Sequence, residues 1–137
     1  MKIVGIGTDI AECARIEKMI SRHGFHFLDH VFTDREIAYC SPKKRAAEHF
    51  AGRWAAKEAV LKALGTGWIA GISWKDVEVS NDVGGKPKIH LHGGAQKVAR
   101  GLGITEVFLS ISHCSCHAIA SVVAVGRPAM QDSSTIE

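Results

Sequence analysis

The chain has 137 residues, a formal net charge of +3 and a sequence pI near 8.8, with 46% hydrophobic and 23% charged residues. These values are typical of one globular domain that buries its own core without disulfides. The charge is mild for a nucleic-acid binder, and no apolar run approaches the roughly 18 residues of a membrane helix. We therefore expect no nucleic-acid partner and no membrane, and a cytoplasmic location, since the N-terminus leads directly into a strand instead of a signal peptide.

Asp9 closes the first predicted element. Residues 3–7 form an apolar run with two glycines, which is typical of a strand that another backbone or a ligand approaches. Residues 10–21 then have helical periodicity, so Asp9 is a candidate N-cap as well as a candidate metal ligand. The two roles do not exclude each other.

A capping box predicts the next helix boundary, because Thr33 is followed three residues later by Glu36. Ser41-Pro42 closes that helix. A basic run, Lys43-Lys44-Arg45, then leads into a long helix that ends near Gly65-Thr66-Gly67, where glycine favours a left-handed C-terminal cap.

The long helix has an unusual distribution of charge. At about 100° per residue, Phe50, Trp54 and Leu61 share one apolar arc, and Glu58 and Lys62 lie on one border of it. Glu58 and Lys62 are also four residues apart, so a surface ion pair of a few tenths of a kcal/mol is the ordinary interpretation. The alternative is that Glu58 and Asp9 form a divalent-metal site that handles phosphate.

From residue 72 the pattern changes to alternation. It predicts strands over residues 73–79, 87–92, 106–112 and 118–125, a hairpin turn over 81–86 and a short helix over 95–102. Hairpins beside helices indicate an α+β fold, with an antiparallel sheet packed against one long central helix and shorter helices. We expect a single domain over residues 1–126 and a disordered C-terminal tail over 127–137.

Four cysteines, Cys13, Cys40, Cys114 and Cys116, lack the spacing of a disulfide framework, so reduced thiols are expected. Two of them lie in the segment His113-Cys114-Ser115-Cys116-His117, whose residue types suit zinc. The one-residue spacing differs from the usual Cys-x₂₋₄-Cys pattern, and alternate side chains of a tight turn rarely complete a tetrahedron. A small metal-binding regulator stays an alternative function.

Five motifs follow one another in an order and spacing that resembles the holo-acyl-carrier-protein synthases, which are small phosphopantetheinyl transferases. The motifs are Gly5-Ile6-Gly7-Thr8-Asp9-Ile10, Arg53-Trp54-Ala55-Ala56-Lys57-Glu58-Ala59, Gly65-Thr66-Gly67, Gly85-Lys86-Pro87 and Ser110-Ile111-Ser112-His113. The resemblance covers residues 1 to about 125 and implies the 4′-phosphopantetheinyl transferase fold. It also implies transfer of phosphopantetheine from coenzyme A to a serine of an apo acyl carrier protein, in support of fatty acid biosynthesis, with adenosine 3′,5′-bisphosphate as the second product.

The resemblance implies roles for individual residues. Asp9 and Glu58 would hold Mg²⁺ against the coenzyme A pyrophosphate, and Glu58, or a water that it orients, is the candidate base for the serine proton. Lys62 would neutralise charge on the leaving group, so Asp9, Glu58 and Lys62 are the candidate catalytic residues. Ala11 stands where longer members of the superfamily carry a third acid, so water would complete the coordination.

The resemblance further implies two binding surfaces and an oligomer. Coenzyme A would be bound by Arg53, Lys62, Gly65, Thr66, Gly67 and His113, with the histidine supplied by the adjoining subunit of a homotrimer. The first helix would dock the acidic carrier through Arg15, Met19 and Arg22. A non-catalytic module that keeps only the coenzyme A pocket is the rival hypothesis, and the joint presence of Asp9, Glu58 and Lys62 favours catalysis over it.

Overall fold

The computed structural model describes residues 1–127, so the predicted tail lies outside the described residues except for Arg127. The fold is α+β, as predicted. In chain order the elements are β1 Lys2–Glu12, α1 Cys13–His23, α2 Phe25–Val31, α3 Asp34–Cys40, α4 Ala46–Leu64, a 3₁₀ turn Trp74–Asp76, β2 Val77–Asn81, β3 Pro87–Leu91, α5 Gly93–Gly101, β4 Ile104–His113 and β5 His117–Gly126. No helix among these residues is both long and apolar enough to span a membrane.

Two antiparallel sheets frame the long helix α4. The larger sheet has the strand order β1-β5-β4, and β2 and β3 form a separate hairpin. In the larger sheet Asp9 lies opposite Ala120, and Glu12 lies opposite His117. One face of this sheet packs against α4, while the other face is open to solvent.

Glycines in β1 let α4 pack directly on the strand. A Cβ atom added at Gly7 would lie 1.9 Å from the carbonyl oxygen of Ala59, and one added at Gly5 would lie 2.0 Å from that of Ala63. Any side chain at either position would push the helix away. The alanine face of α4 therefore meets β1 at the two turns that carry Glu58 and Lys62.

A buried ion pair fixes the opposite side of α4. Lys57 Nζ lies 2.8 Å from Oε1 of Glu36, and both side chains are completely buried. The Glu36 carboxylate also accepts from the backbone N–H groups of Thr33 and Val79, at 2.9 Å each. The ammonium further donates to the carbonyl oxygens of Trp74 and Val77. This network joins α3, α4 and β2. It fixes the position of Lys57, the residue before Glu58 on α4.

Several local predictions are confirmed. Thr33 and Glu36 form the expected capping box, and Gly65 takes the left-handed conformation at the end of α4, with φ 78°. The N-cap hypothesis for Asp9 is wrong. β1 continues to Glu12 because its ladder with β5 extends that far, so Asp9 lies inside a strand, and α1 begins at Cys13.

Candidate active site

Asp9 and Lys62 form the centre of the candidate site. Lys62 Nζ lies 3.0 Å from Oδ1 of Asp9 and donates to the Thr8 carbonyl oxygen at 2.9 Å. The Asp9 side chain is 18% exposed and the Lys62 side chain 53% exposed. A carboxylate and an ammonium group therefore lie at an accessible edge between β1 and α4.

Glu58 lies one helical turn before Lys62 on α4. Side chains four residues apart on a helix are neighbours, about 5–6 Å apart at their Cβ atoms. Glu58 is half-buried, and Lys62 pairs with Asp9 instead of with Glu58. The interpretation of Glu58 and Lys62 as a surface ion pair is therefore wrong. Strand β1 packs against α4 here, and the ammonium group of Lys62 forms its ion pair with Asp9.

The donor atoms of this site fit a hard divalent cation. Asp9 and Glu58 supply carboxylate oxygens, and Mg²⁺ typically takes one or two protein carboxylates together with waters and substrate phosphates. Within residues 1–127 no three His, Cys, Asp or Glu side chains are grouped as a metal site of protein ligands alone would require. The pair suits an ion that keeps most of its coordination for water and substrate.

Gly65, Thr66 and Gly67 follow directly on the turn of Lys62. Gly65 and Gly67 have positive φ, and the Thr66 hydroxyl donates to the Gly67 carbonyl oxygen at 2.9 Å. The C-terminal end of a helix dipole repels anions, so a phosphate beside this loop needs a nearby cation. Among the described residues, Lys62 supplies a cation in the last turn of α4.

A second polar cluster lies at the other end of α4. Nδ1 of His113, at the end of β4, lies 3.0 Å from Oε1 of Glu48 in the first turn of α4. The ring of His49 lies 5.2 Å from that of His113, centroid to centroid. Burial lowers the pKa of His49, and the neighbouring His113, Lys43 and Arg53 lower it further.

Arg53 extends this cluster toward the β2–β3 hairpin. Its guanidinium lies 4.3 Å from the centre of the Tyr39 ring and bonds the Asn81 side chain. Arg53 is only 4% exposed, and its buried Nε atom has no hydrogen-bond partner among residues 1–127. Lys43 Nζ lies 4.4 Å from the same Tyr39 ring. Two cationic side chains, Arg53 and Lys43, therefore lie near the start of α4, and Nε of Arg53 remains available as a hydrogen-bond donor.

The two clusters are far apart within one chain. Glu48 and Glu58 are separated by ten helical residues, which correspond to about 15 Å along the axis of α4. Because His113 is bonded to Glu48, it lies near the beginning of the helix, whereas Asp9 is bonded to Lys62 near its end. The structure pairs Asp9 with Lys62, and Glu58 lies one helical turn before Lys62, whereas His113 is not brought to them.

The predicted carrier-docking residues lie on α1. Arg15 and Arg22 are exposed, whereas Met19 is half-buried against the core. Arg15 also lines a small pocket of about 150 Å³ together with Ile10 and Trp54. Trp54 lies one turn before Glu58 on α4, so the pocket adjoins the candidate site on the side of α1.

Comparison with known proteins assigns the family. A model of the 4′-phosphopantetheinyl transferase superfamily matches residues 5–116. The chain belongs to this superfamily. A holo-[acyl-carrier-protein] synthase of Koribacter versatilis is 48% identical over 121 residues, which are 88% of this chain and 97% of that relative.

Solved members of the superfamily share the fold. The holo-[acyl-carrier-protein] synthase of Neisseria meningitidis is 34% identical, with a TM-score of 0.82 over 90% of this chain and 99% of that one. The enzyme of Helicobacter pylori, solved in complex with coenzyme A, is 35% identical, with a TM-score of 0.78 over 88% and 99% of the two chains. The region that matches the superfamily includes all candidate site residues, from Asp9 to His113.

Three side chains of this superfamily member were not predicted to belong to a site. Tyr39, Glu48 and His49 contact Arg53 or His113 in the cationic cluster. Glu48 and His113 are 65 positions apart, and no local spacing in one sequence signals such a contact. The basic run before α4 is the one hint that the sequence offers.

Proposed function

We propose that the chain transfers 4′-phosphopantetheine from coenzyme A to a serine of an apo acyl carrier protein, in support of fatty acid biosynthesis. The serine oxygen bonds to the phosphorus on the pantetheine side of the pyrophosphate, and the bond from that phosphorus to the bridging oxygen breaks. Adenosine 3′,5′-bisphosphate leaves with the bridging oxygen. The pairing of Asp9 with Lys62, one helical turn from Glu58, carries this proposal, and the similarity to holo-[acyl-carrier-protein] synthases supports it.

Magnesium dependence is part of the proposal. Asp9 and Glu58 would hold Mg²⁺, with Ala11 leaving the third protein position to water. When bound, the ion supplies positive charge that offsets the pyrophosphate and the developing negative charge. The partly exposed carboxylate of Asp9 at the edge between β1 and α4 supports this assignment, since a substrate phosphate can approach it there.

Glu58 and Lys62 have separate chemical tasks in the proposal. The half-buried Glu58 carboxylate, or a water that it orients, accepts the serine proton. Lys62 has a flexible stem and an exposed ammonium group, so it can turn from Asp9 to an oxygen of the leaving group. Gly65 and Gly67 have positive φ, which residues with a Cβ atom rarely adopt. At these two positions, therefore, no side chain obstructs the loop beside Lys62.

Coenzyme A would extend from this centre to the cationic cluster of a neighbouring subunit. Arg53 and His113 offer donors to phosphate, and Arg53 Nε is a buried donor that has no partner within the described chain. His113 lies near the start of its own α4, about 15 Å from Glu58 of the same chain by helical rise. The proposal therefore joins Asp9, Glu58 and Lys62 of one subunit with His113 of another.

An apolar sheet face supports the homotrimer that such shared sites require. On the side of the larger sheet away from α4, Ile6, Ile10, Phe108 and Ile119 are 69%, 59%, 46% and 43% exposed. Apolar patches of this kind are typical of interfaces. Sedimentation equilibrium should give three times the 14.8 kDa mass of one chain, and Phe108→Lys should reduce it.

The carrier and the cellular location complete the proposal. Arg15 and Arg22 present positive charge on α1, and Met19 supplies an apolar contact between them, which suits an acidic partner. The pocket lined by Arg15 and Trp54 would guide the acceptor serine toward Glu58. All four cysteines are free thiols, which supports the proposed cytoplasmic location.

One assay tests the function. The protein is incubated with magnesium, coenzyme A and an apo acyl carrier protein, and the carrier is weighed by mass spectrometry. Metal-dependent transfer should add about 340 Da, the mass of a phosphopantetheine group, and should release adenosine 3′,5′-bisphosphate in equal amount. Tight binding of coenzyme A with an unchanged carrier mass would favour the non-catalytic module instead.

A further inference from the structure

A carboxylate lies directly behind the imidazole of His113. The Glu48 side chain is 10% exposed, whereas the His113 side chain is 37% exposed. Oε1 of Glu48 lies 3.0 Å from Nδ1 of His113, and Oε2 lies 3.5 Å from a guanidinium nitrogen of Arg45. The carboxylate is therefore anchored on one side while the histidine faces the surface on the other.

This contact decides which ring nitrogen is available. An ionised carboxylate can only accept hydrogen bonds, so Nδ1 of His113 must carry a hydrogen. Nε2 lies on the far side of the ring and points away from Glu48. The His49 ring, 5.2 Å away, limits rotation of the imidazole. Two side chains from the first turn of α4 thus set the direction of Nε2.

We propose that Glu48 is a positioning residue for the transfer reaction: it holds His113 so that Nε2 meets a phosphate oxygen of coenzyme A. This inference rests on the proposed function. A ring that donates Nδ1–H to Glu48 can donate Nε2–H to phosphate only as the imidazolium ion. The pair resembles the carboxylate–histidine arrangements that orient ligands elsewhere.

The competing explanation is purely structural. Glu48 and His113 join α4 to β4, so their bond could serve only to hold the sheet on the helix. A structural role predicts a loss of stability that does not depend on coenzyme A. A positioning role predicts a change in the use of coenzyme A that requires His113.

Steady-state kinetics separate the two explanations. We expect Glu48→Leu to raise the KM for coenzyme A about tenfold, while kcat and the KM for the carrier change less than about twofold. Glu48→Gln keeps an acceptor oxygen and should recover part of the loss. An unchanged KM in Glu48→Leu would overturn the proposal.

A double-mutant cycle gives the decisive control. The KM for coenzyme A of the double variant His113→Phe/Glu48→Leu should lie within about twofold of that of His113→Phe alone, because Glu48 acts through His113. An increase of the same size in both backgrounds would contradict the proposal, since Glu48 would then act through the fold. Thermal unfolding of all four proteins reports the structural part separately.

Nitrogen-15 NMR of the histidines tests the same idea without turnover. Neutral His113 in the free protein should carry its hydrogen on Nδ1, and Glu48→Leu should shift the population toward the Nε2–H tautomer. Addition of coenzyme A should protonate both nitrogens in the unsubstituted protein. An unaltered tautomer in Glu48→Leu would overturn the inference. If the tautomers are as expected but the protein transfers phosphopantetheine to no carrier, the result would count against the proposed function alone.

Discussion

Lys62 Nζ lies 3.0 Å from Oδ1 of Asp9, so the carboxylate proposed to hold a metal ion is paired with a lysine of the same chain. Two cations cannot share one carboxylate oxygen without repulsion. A divalent ion that takes Oδ1 of Asp9 must therefore displace the ammonium group from that oxygen. That movement would direct Lys62 toward the substrate phosphates, which links metal binding to the step that lysine assists.

Lys62→Met should tighten binding of a divalent ion while slowing transfer. Because a half-exposed ion pair contributes at most about 1 kcal/mol, the affinity for Mn²⁺ without coenzyme A should rise roughly three- to fivefold. Isothermal calorimetry measures this affinity, and Lys97→Met, at an exposed position of α5, is the matched control. Unchanged or weaker Mn²⁺ binding in Lys62→Met would show that the lysine does not compete for Asp9.

Arg15→Ala should affect the carrier far more than coenzyme A. Arg15 is exposed on α1, and attraction between exposed charges acts mainly on the encounter with a partner. We expect the KM for the carrier to rise about fivefold or more, with a smaller difference at high salt, and the KM for coenzyme A to stay within about twofold. Lys97→Ala, on the distant α5, should change neither constant. Equal effects of Arg15→Ala on both substrates would argue against docking on α1.

Lys57→Met should destabilise the fold strongly. Burial lowers the pKa of Lys57, whereas the adjacent Glu36 carboxylate opposes that shift and forms a fully buried pair with it. Removing one partner of such a pair costs about 3–5 kcal/mol, because the other charge stays buried. Urea unfolding measures the loss. The double variant Glu36→Gln/Lys57→Met should lose less than the two single variants together, and strict additivity would contradict this account.

His49 should make the protein less stable in mild acid. Burial, with help from His113, Lys43 and Arg53, lowers the pKa of His49 below its ordinary value of 6.5. The unfolded chain therefore binds this proton more readily than the folded chain, and the free energy of unfolding falls as the pH drops below about 6.5.

Substitution of His49 tests this sign. The free energy of unfolding of His49→Phe minus that of the unsubstituted protein should be larger at pH 5.5 than at pH 8. Urea unfolding at each pH measures this difference. His49→Gln, which does not titrate either, should show the same pH trend whatever its absolute stability. A stability difference that is the same at both pH values would contradict the shift.

The sequence was sufficient where the signals are local. The capping box of Thr33 and Glu36 and the left-handed Gly65 depend on neighbouring residues, and both are present as predicted. The strands predicted over 87–92, 106–112 and 118–125 agree with β3, β4 and β5 within two residues, because alternation reports burial on one face of a sheet. The strand predicted over 73–79 is only partly correct, since Trp74–Asp76 form a 3₁₀ turn and β2 begins at Val77. The family motifs imply that Asp9, Glu58 and Lys62 act together, and of these residues the structure pairs Asp9 with Lys62.

The sequence was insufficient where contacts span the chain. The local sequence favours Asp9 as a helix cap, whereas the β1–β5 ladder continues to Glu12 and places Asp9 inside a strand. Lys57 borders an apolar arc in the helical pattern, but only the fold reveals that Glu36, 21 positions away, buries it completely. The bond from Glu48 to His113 likewise depends on where β4 ends against α4.

A crystal structure with coenzyme A and Mn²⁺ tests the central claim most directly, since the anomalous signal of manganese locates the ion. We predict one peak at the edge between β1 and α4, with a carboxylate oxygen of Asp9 and one of Glu58 each at about 2.1–2.3 Å and pyrophosphate oxygens completing the shell. Lys62 should then lie on a phosphate oxygen instead of on Asp9. A peak bound by only one of the two carboxylates, or bound elsewhere, would contradict the account.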